Sequence, residues 1–490
     1  MTDRLEDRDT RAQGKRILSA LTFNVPAAFL KTMACLLLAA ALTLGGQSLG
    51  WFAGLEAAGV WMLFILFFTA GLWIVEAMPA FVVAILIIAL EILILGKPGG
   101  VLAGLEDRDA WLAFVSPWSS SIMWLFLGGF VLAAAAVKTQ LDLLCARKVV
   151  GLCGDQPWRL LAGVMLITFV FSMFMSNTAT AAMMVAVMAP VTRKLPPGDK
   201  FALGLLLSVP IAANLGGIGT IIGTPPNAIA VGALSEDLRP SFFAWMKLGV
   251  PVALIMGVIG YFYLLKFYPS GRRKIDISQL GQMEGTEADP TPPPPPAWQQ
   301  VFVMAVFLFA VASWMTESFH GTPPAVVSFF AIALLAVSGI LQAEDMRRLP
   351  WDVLLMLAGG LALGVGITET GVGAWLPGLL PENLSPLILT FVIAYLALLM
   401  SNVMSNTATA AMLLPVAIAL TSGIEGFSEM SLAFPVAIAC SSAMCLPIST
   451  PPNAIAYASG LIRTKDYLRA GLLLGALAPL VAWGVSLWQP

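Results

Sequence analysis

The chain contains the same nine residues twice. Met175 to Met183 read Met-Ser-Asn-Thr-Ala-Thr-Ala-Ala-Met, and Met404 to Met412 repeat this string 229 residues later. A second shared string, Thr-Pro-Pro-Asn-Ala-Ile-Ala, follows each copy and occupies residues 224–230 and 450–456. Because both strings recur in the same order, they were duplicated as one unit. Their polar residues and prolines interrupt apolar sequence, and we therefore place the functional site here.

The composition is that of a polytopic membrane protein. Hydrophobic residues make up 59% of the 490 residues and charged residues only 11%, whereas about a quarter of a soluble domain is charged. Apolar runs of about 20 residues recur from Phe29 to Trp488, which is the length that a helix needs to cross a hydrocarbon core of roughly 30 Å. The short alternating segments of a transmembrane barrel do not occur in the sequence.

Each half contains an apolar stretch that is expected to fold back as a helical hairpin. The first stretch is 157–193, with Ser-Asn-Thr at its middle and positive charge near both ends, at Arg159 and Arg193. Charge of one sign on both flanks indicates a re-entrant hairpin that enters and leaves the membrane on the same face. The stretch 201–234 follows and is predicted to be a broken helix, because glycines and prolines interrupt its middle.

A charged and proline-rich segment, 270–297, separates two repeats and is predicted to be a cytoplasmic linker. With the N-terminus placed in the cytoplasm and the C-terminus outside, most lysines and arginines are cytoplasmic, in agreement with the positive-inside rule. Each repeat then has an odd number of spans, so the second copy is inverted and its hairpin enters from the opposite face. Two hairpins that meet from opposite faces are typical of secondary transporters. The predicted segments are the N-terminal segment 1–24, an extra first span 25–54, the first repeat 55–269, the linker 270–297, and the second repeat 298–490 with a hairpin at about 385–421, a broken helix at about 428–460 and a last helix at 467–488.

The residue types at these breaks suit a cation and an anion together. Backbone that departs from helical geometry inside a membrane persists only where it lines a site or is buried in protein. Neutral oxygens of Ser, Thr and Asn are ligands for a hard alkali cation such as sodium, and the half-helices that begin after the tips direct N–H groups toward an anion. No Lys or Arg lies within either tip or either broken helix. Bound cations would therefore supply most of the positive potential for an anionic substrate.

Other polar residues and glycines have plainer interpretations. A single Ser-Asn-Thr is more often a helix cap than a ligand site, and only its duplication at two helix breaks favours function. Glu76 and Glu317 end a repeated Trp-x-x-Glu motif and are interpreted as helix-end packing, with a proton or cation site as the alternative. Two glycine pairs are expected to allow close helix packing: Gly128 with Gly129, and Gly359 with Gly360.

The sequence resembles the divalent anion sodium symporters, a family that moves dicarboxylates, citrate or sulfate. The resemblance extends from about Trp73 to Gly460 and rests on both Ser-Asn-Thr motifs, both Pro-Pro-Asn motifs and their order. It implies an all-α polytopic membrane protein with eleven transmembrane helices and two re-entrant hairpins. It also implies a homodimer and a transport domain that moves across the membrane like an elevator.

The same resemblance implies a set of ligands. One sodium site would use Ser172, Ser176, Asn177 and the carbonyl of Gly223, and the other would use Ser401, Asn406 and the carbonyls of Met404 and Ser449. Ser172 and Ser401 each lie four residues before a motif serine, one helical turn below the tip on the same face. Ser449 departs from the Gly or Ala that the family often has. Substrate carboxylates would contact Ser176, Asn177, Thr178, Thr224, Ser405, Asn406, Thr407 and Thr450.

The sequence therefore predicts a secondary transporter of the cell inner membrane that couples sodium to the uptake of a small divalent anion. A four-carbon dicarboxylate such as succinate, malate or fumarate is the first expectation, and a sulfate transporter or a dicarboxylate exchanger stays open. An ion channel also uses broken helices and neutral oxygens, and saturable flux with a fixed ion stoichiometry would separate the two. An intramembrane enzyme is disfavoured, because the sole histidine, His320, is remote from the motif serines. No organic cofactor and no nucleic-acid partner is expected.

Overall fold

The computed structural model describes residues 26–102, 107–277, 295–381 and 384–487, and every regular element within these ranges is a helix. The N-terminal segment 1–24 and most of the predicted linker lie outside the described residues. Ten of the described helices are long and apolar enough to cross a membrane, and four shorter apolar helices accompany them. The chain is an all-α polytopic membrane protein, as its composition predicts.

Capping side chains set several helix starts in the first half. Asp199 accepts hydrogen bonds from the backbone N–H groups of Phe201 and Ala202 at 2.8 and 3.2 Å, which satisfies donors that the first turn leaves free. The helices of this half are α1 (Ala27–Ser48), α2 (Ala57–Ile74), α3 (Ala80–Leu90, continued by the π-helix Glu91–Gly96), α4 (Ser121–Lys138), α5 (Leu141–Leu152), α6 (Pro157–Phe174), α7 (Asn177–Arg193), α8 (Lys200–Gly217), α9 (Pro225–Ala233) and α10 (Phe242–Phe267).

The second half repeats the main helices of the first in the same order. The structure has a pair of helices at each predicted hairpin, α6 with α7 and α14 with α15, and a pair at each predicted broken helix, α8 with α9 and α16 with α17. The helices of this half are α11 (Ala297–Met315), α12 (Pro324–Val337), α13 (Trp351–Glu369), α14 (Pro386–Val403), α15 (Asn406–Thr421), α16 (Glu429–Ser441), α17 (Pro451–Tyr457) and α18 (Thr464–Ser486).

The paired glycines lie where helices cross closely. A Cβ atom at Gly128 of α4 would come within 2.5 Å of Ser328 Cβ of α12, and a Cβ atom at Gly359 of α13 would come within 2.7 Å of Ala84 Cα of α3. Both distances are too short for real carbon atoms, so only glycine permits these crossings. The prediction of close helix packing is confirmed, and repeat-related helices cross in the same manner.

Gly359→Ala is expected to destabilise the protein by about 1 to 3 kcal/mol, because the added methyl group overpacks the crossing of α3 and α13. Gly364 of the same helix provides a matched control, since its Cβ would meet Pro415 Cβ at an ordinary 3.6 Å. Thermal unfolding in detergent should therefore show a lower midpoint for Gly359→Ala than for Gly364→Ala. Equal midpoints for the two variants would contradict the close crossing.

The two halves interlock through the short helices that follow the breaks. Helix α9 of the first half packs against α15 and α16 of the second half, and helix α17 of the second half packs against α7 and α8 of the first. The buried rings of Trp245 and Phe434 extend this interface, with their centroids 5.3 Å apart. This reciprocal exchange places each break beside a hairpin of the other repeat.

Two features were not predicted from the sequence. Helix α5 connects α4 to the first hairpin, and its Leu144 and Leu152 are exposed. The start of the predicted linker is folded against the base of that hairpin: Ile275 N donates to Asp155 O at 2.7 Å, and Lys274 Nζ lies 2.8 Å from the Asp155 carboxylate. The first residues of the predicted linker therefore pack against the first repeat.

Candidate functional site

Both Ser-Asn-Thr motifs form the tip of a helical hairpin. The Ser176 hydroxyl accepts a hydrogen bond from Ala179 N at 3.2 Å, and the Ser405 hydroxyl accepts one from Ala408 N at 3.1 Å. These serines are therefore the N-caps of α7 and α15. Because a hydroxyl both donates and accepts, each serine keeps a hydrogen to donate to a bound anion.

Three oxygen atoms and the carboxamide of Asn177 converge beside the first tip, and we term them the first oxygen cluster. The oxygen atoms are Ser172 Oγ and the carbonyl oxygens of Ala213 and Gly223. Ser172 Oγ lies 2.5 Å from Asn177 Oδ1 and 2.7 Å from Ala213 O, and the Asn177 amide atom in this position is 3.2 Å from both Ala213 O and Gly223 O. Ser172 is fully buried. Three of the predicted sodium ligands, Ser172, Asn177 and Gly223, thus lie together.

The hydrogen bonds of this cluster favour the orientation of the Asn177 carboxamide that directs its nitrogen toward the three oxygens. With its nitrogen toward the cluster, the amide N–H groups are within hydrogen-bond distance of Ser172 Oγ and both carbonyls. With its oxygen toward the cluster, the Ser172 hydroxyl supplies the only hydrogen among four oxygens, which is an arrangement that a cation would stabilise. Since the terminal torsion of asparagine is broad and roughly two-fold, one side chain can satisfy the cluster with and without a cation.

Glycines permit this close approach. A Cβ atom at Gly217 would lie 2.6 Å from Asn177 Oδ1 and 3.1 Å from Gly223 O. A Cβ atom at Gly223 would in turn collide with the carbonyl oxygen of Gly217. The two glycines therefore allow the end of α8 and the turn before α9 to pack directly against the hairpin tip.

The prolines of the first Thr-Pro-Pro-Asn string begin a helix. Pro225 and Pro226 are the first two residues of α9, where the missing N–H groups would have had no helical acceptor. The next N–H, that of Asn227, donates to Thr224 O at 3.1 Å. The carbonyl of Gly223 is consequently left free to face Asn177.

The asparagine of each Pro-Pro-Asn motif holds the preceding break together. Asn227 Nδ2 lies 3.3 Å from Ile218 O and 2.8 Å from Thr220 O, nine and seven residues upstream. Its counterpart Asn453 makes the same pair of contacts, with Met444 O at 3.1 Å and Leu446 O at 2.9 Å. Neither asparagine was among the predicted site residues, although the duplicated motif was the signal that contained both.

A second oxygen cluster lies beside the second tip. Ser401 Oγ is 2.8 Å from Asn406 Oδ1 and 3.0 Å from Cys440 O, which repeats the geometry of Ser172. Ser401 is fully buried. The backbone carbonyls of Ala213 and Cys440 belong to the two clusters but were missed, because a carbonyl is present at every residue and leaves no signal in the sequence.

Ser449 and Met404 occupy the break and the tip beside this second cluster. The Ser449 hydroxyl donates to Asn402 O at 3.0 Å and accepts from Leu446 N at 3.1 Å, so it ties the second break to the second hairpin. Met404 is the buried, extended residue between α14 and α15. The roles of their carbonyls as sodium ligands stay predictions.

The predicted substrate residues are distributed over four helix starts. Thr178 is exposed and Thr407 is half-buried, each in the first turn of a hairpin helix. Thr224 and Thr450 are buried N-cap residues of α9 and α17. Their assignment as substrate ligands stays a prediction.

A cavity of about 440 Å³ adjoins the second tip. It is lined by Ser405 and by the turn between α2 and α3, including Trp73 and Glu76. The Trp73 indole N–H donates to Ala80 O at 3.1 Å and fixes this turn, but Glu76 is exposed, with a left-handed backbone at φ 47°. Packing therefore describes Trp73, whereas Glu76 lines the cavity just after the end of α2, and its role stays a prediction.

Comparison with known proteins identifies the family. A family model described as a citrate transporter, CitMHS, matches residues 70–439. The sodium-dependent dicarboxylate transporter SdcS of Staphylococcus saprophyticus is 32% identical over 407 residues, which cover 74% of this chain and 75% of the relative. SdcS of Staphylococcus aureus is 30% identical over 402 residues, which cover 75% and 76%. The chain belongs to the divalent anion sodium symporter family.

The fold of this family member also resembles a more distant transporter. The crystal structure of the Alcanivorax borkumensis YdaH transporter, described as having an unusual topology, matches with a TM-score of 0.52 and 12% sequence identity. The match covers 83% of this chain and 96% of YdaH. At this identity the likeness concerns the fold alone, and it agrees with a polytopic membrane transporter. The resemblance to the symporter family seen in the sequence is confirmed.

Proposed function

We propose that this divalent anion sodium symporter family member couples sodium to the uptake of small divalent anions, in the first place four-carbon dicarboxylates such as succinate, malate and fumarate. The observation that carries the proposal is the pair of oxygen clusters at repeat-related positions, beside hairpin tips and helix breaks that contain no Lys or Arg. Relatives named as sodium-dependent dicarboxylate transporters support the same cation and substrate class.

Each cluster is proposed to hold one sodium ion. Neutral oxygens from a hydroxyl, a carboxamide and backbone carbonyls are the ligand type that suits this cation. The convergence of Ser172 Oγ and the carbonyls of Ala213 and Gly223 on the Asn177 carboxamide supports the first site, because rotation of the carboxamide would add its oxygen as a ligand. The proposed ligands are Ser172, Ser176, Asn177 and the carbonyls of Gly223 and Ala213 in the first site, and Ser401, Asn406 and the carbonyls of Met404, Ser449 and Cys440 in the second.

The substrate is proposed to bind between the two tips. Its carboxylates would receive hydrogen bonds from hydroxyl and amide groups and from the N-termini of α7 and α15. Two sodium ions would balance the charge of a dianion, so removal of sodium would leave the substrate without compensating positive charge. The proposed substrate ligands are Ser176, Asn177, Thr178, Thr224, Ser405, Asn406, Thr407 and Thr450.

The transport cycle is proposed to follow an elevator mechanism in a homodimer of the cell inner membrane. The reciprocal packing of α9 on α15 and of α17 on α7 supports this, because both tips and both breaks then belong to one body that can move as a unit. The excess of lysine and arginine on one side supports a cytoplasmic N-terminus and an external C-terminus.

Uptake into proteoliposomes tests the proposal. Labelled succinate, citrate and sulfate are each supplied with an inward sodium gradient, with equal sodium on both sides, or with potassium in place of sodium. Concentrative, saturable uptake of succinate is expected only with the sodium gradient. Sodium-independent uptake driven by internal succinate would instead identify an exchanger, and a preference for sulfate would overturn the dicarboxylate assignment.

A further inference from the structure

Asn214 connects the two repeats through its side chain. It lies on α8 of the first repeat and is only 1% exposed. Its Nδ2 atom is 3.1 Å from Thr450 Oγ1 and 3.4 Å from Asn453 Oδ1, both in the second repeat. A buried amide that reaches the Thr-Pro-Pro-Asn string of the other repeat fixes the two breaks relative to each other.

The contacts of Thr450 determine which hydrogen-bonding role its hydroxyl has left. Thr450 Oγ1 accepts from Asn214 Nδ2 and also from Asn453 N at 3.4 Å. A hydroxyl has two lone pairs and one hydrogen. With both lone pairs facing donors, the Thr450 hydroxyl is directed to donate, which is the role that a carboxylate oxygen requires.

The repeat counterpart of Asn214 is Ser441. Ser172 donates to Ala213 O and Ser401 donates to Cys440 O, so the residues that follow these carbonyls, Asn214 and Ser441, occupy equivalent positions. The shorter serine makes no such connection: among the described residues, the buried Ser441 Oγ has no hydrogen-bond partner.

The first-repeat side of this interface is correspondingly less constrained. Asn227 Oδ1, the counterpart of Asn453 Oδ1, is buried and has no hydrogen-bond partner in the described part of the chain. The side chain of Thr224 makes no capping hydrogen bond to α9, whereas that of Thr450 caps α17. The pseudo-symmetric site is therefore asymmetric in its supporting contacts.

We propose that Asn214 is a positioning residue that presets the Thr450 hydroxyl as a hydrogen-bond donor to a substrate carboxylate. The inference rests on the proposed function, because it takes Thr450 as a substrate ligand. One threonine of the site is then held in its donating orientation before the substrate arrives, and the other, Thr224, adjusts on binding. Ordering one donor in advance lowers the entropy cost of binding the dianion.

A double-mutant cycle tests this positioning role. Asn214→Ser, which introduces the residue of the second repeat, Thr450→Val and the double variant are assayed for the KM of succinate and for the sodium concentration that gives half-maximal uptake. Each single variant is expected to raise the KM about tenfold, the size of one lost hydrogen bond to a charged group. The double variant is expected to be no worse than Thr450→Val alone, with the sodium dependence unchanged in all three.

Ser441→Ala is the matched control. It removes a buried hydroxyl at the equivalent position that has no hydrogen-bond partner, so its KM is expected to stay within about twofold of the wild type. Multiplicative effects of Asn214→Ser and Thr450→Val, or an equal loss in Ser441→Ala, would overturn the positioning role. A normal KM in Thr450→Val would show that Thr450 is not a substrate ligand, which contradicts the proposed function and not the positioning role.

Discussion

Replacing Asn177 by alanine is expected to reduce sodium-driven succinate uptake by at least about 100-fold. Among the residues that the structure describes, the carboxamide is the only side chain that contacts Ser172 Oγ and the carbonyls of Ala213 and Gly223 together. Without this carboxamide, the cluster loses a ligand when a cation is bound and loses a hydrogen-bond donor when no cation is bound. The cost of an unsatisfied buried group is about 1 to 3 kcal/mol, and several groups lose their partner here at once.

Sodium binding provides a second measurement for this variant. A ligand that binds only the folded protein raises the unfolding temperature, so the wild type should gain thermal stability as sodium replaces potassium, and Asn177→Ala should gain less. Thr32→Ala serves as the control, because Thr32 is half-buried on α1, away from the tips, and its hydroxyl donates only to Ala28 O at 2.8 Å. Normal sodium-driven uptake by a folded Asn177→Ala protein would contradict the first sodium site.

The duplicated strings predicted where the hairpin tips and helix breaks of the candidate site lie, because such tips and breaks require particular residues. Ser176 and Ser405 cap helices, and prolines begin α9 and α17, so these side chains appear in the sequence as a motif. Backbone carbonyls have no such signature. The carbonyls of Ala213 and Cys440 were identified only from the structure, in which α8 lies beside Ser172 and α16 lies beside Ser401.

Contacts between the repeats could not be predicted from the sequence either. Asn214 lies in an apolar helix and its partners are 236 and 239 residues away, so no local spacing relates them.

The burial of Glu91 could not be predicted from the sequence for a different reason. Glu91 lies inside a predicted span, is fully buried at the start of the π-helix, and has two carboxylate oxygens without a hydrogen-bond partner among the described residues. A single charged residue in an apolar run gives no indication of such burial.

Gly217→Ala is expected to reduce sodium-driven succinate uptake by at least about 100-fold while leaving the protein folded. A Cβ atom at this position would lie 2.6 Å from Asn177 Oδ1 and 3.1 Å from Gly223 O, so the hairpin tip or the turn before α9 has to move. A displacement near 1 Å in a site is enough for a loss of about 100-fold. Alanine is otherwise the better helix former, by about 1 kcal/mol, so lower activity would not reflect a weaker helix.

Gly257→Ala is the control that separates the displacement of the first oxygen cluster from the general effect of replacing a helical glycine by alanine. Gly257 lies within α10, and a Cβ atom there would meet nothing within 4 Å, so this variant should transport normally. Counted back from the shared Thr-Pro-Pro-Asn string, the second repeat has Ala443 where the first has Gly217. The requirement for glycine is therefore specific to the first oxygen cluster. Normal uptake by Gly217→Ala would show that the Asn177 carboxamide and the Gly223 carbonyl do not act together on one cation.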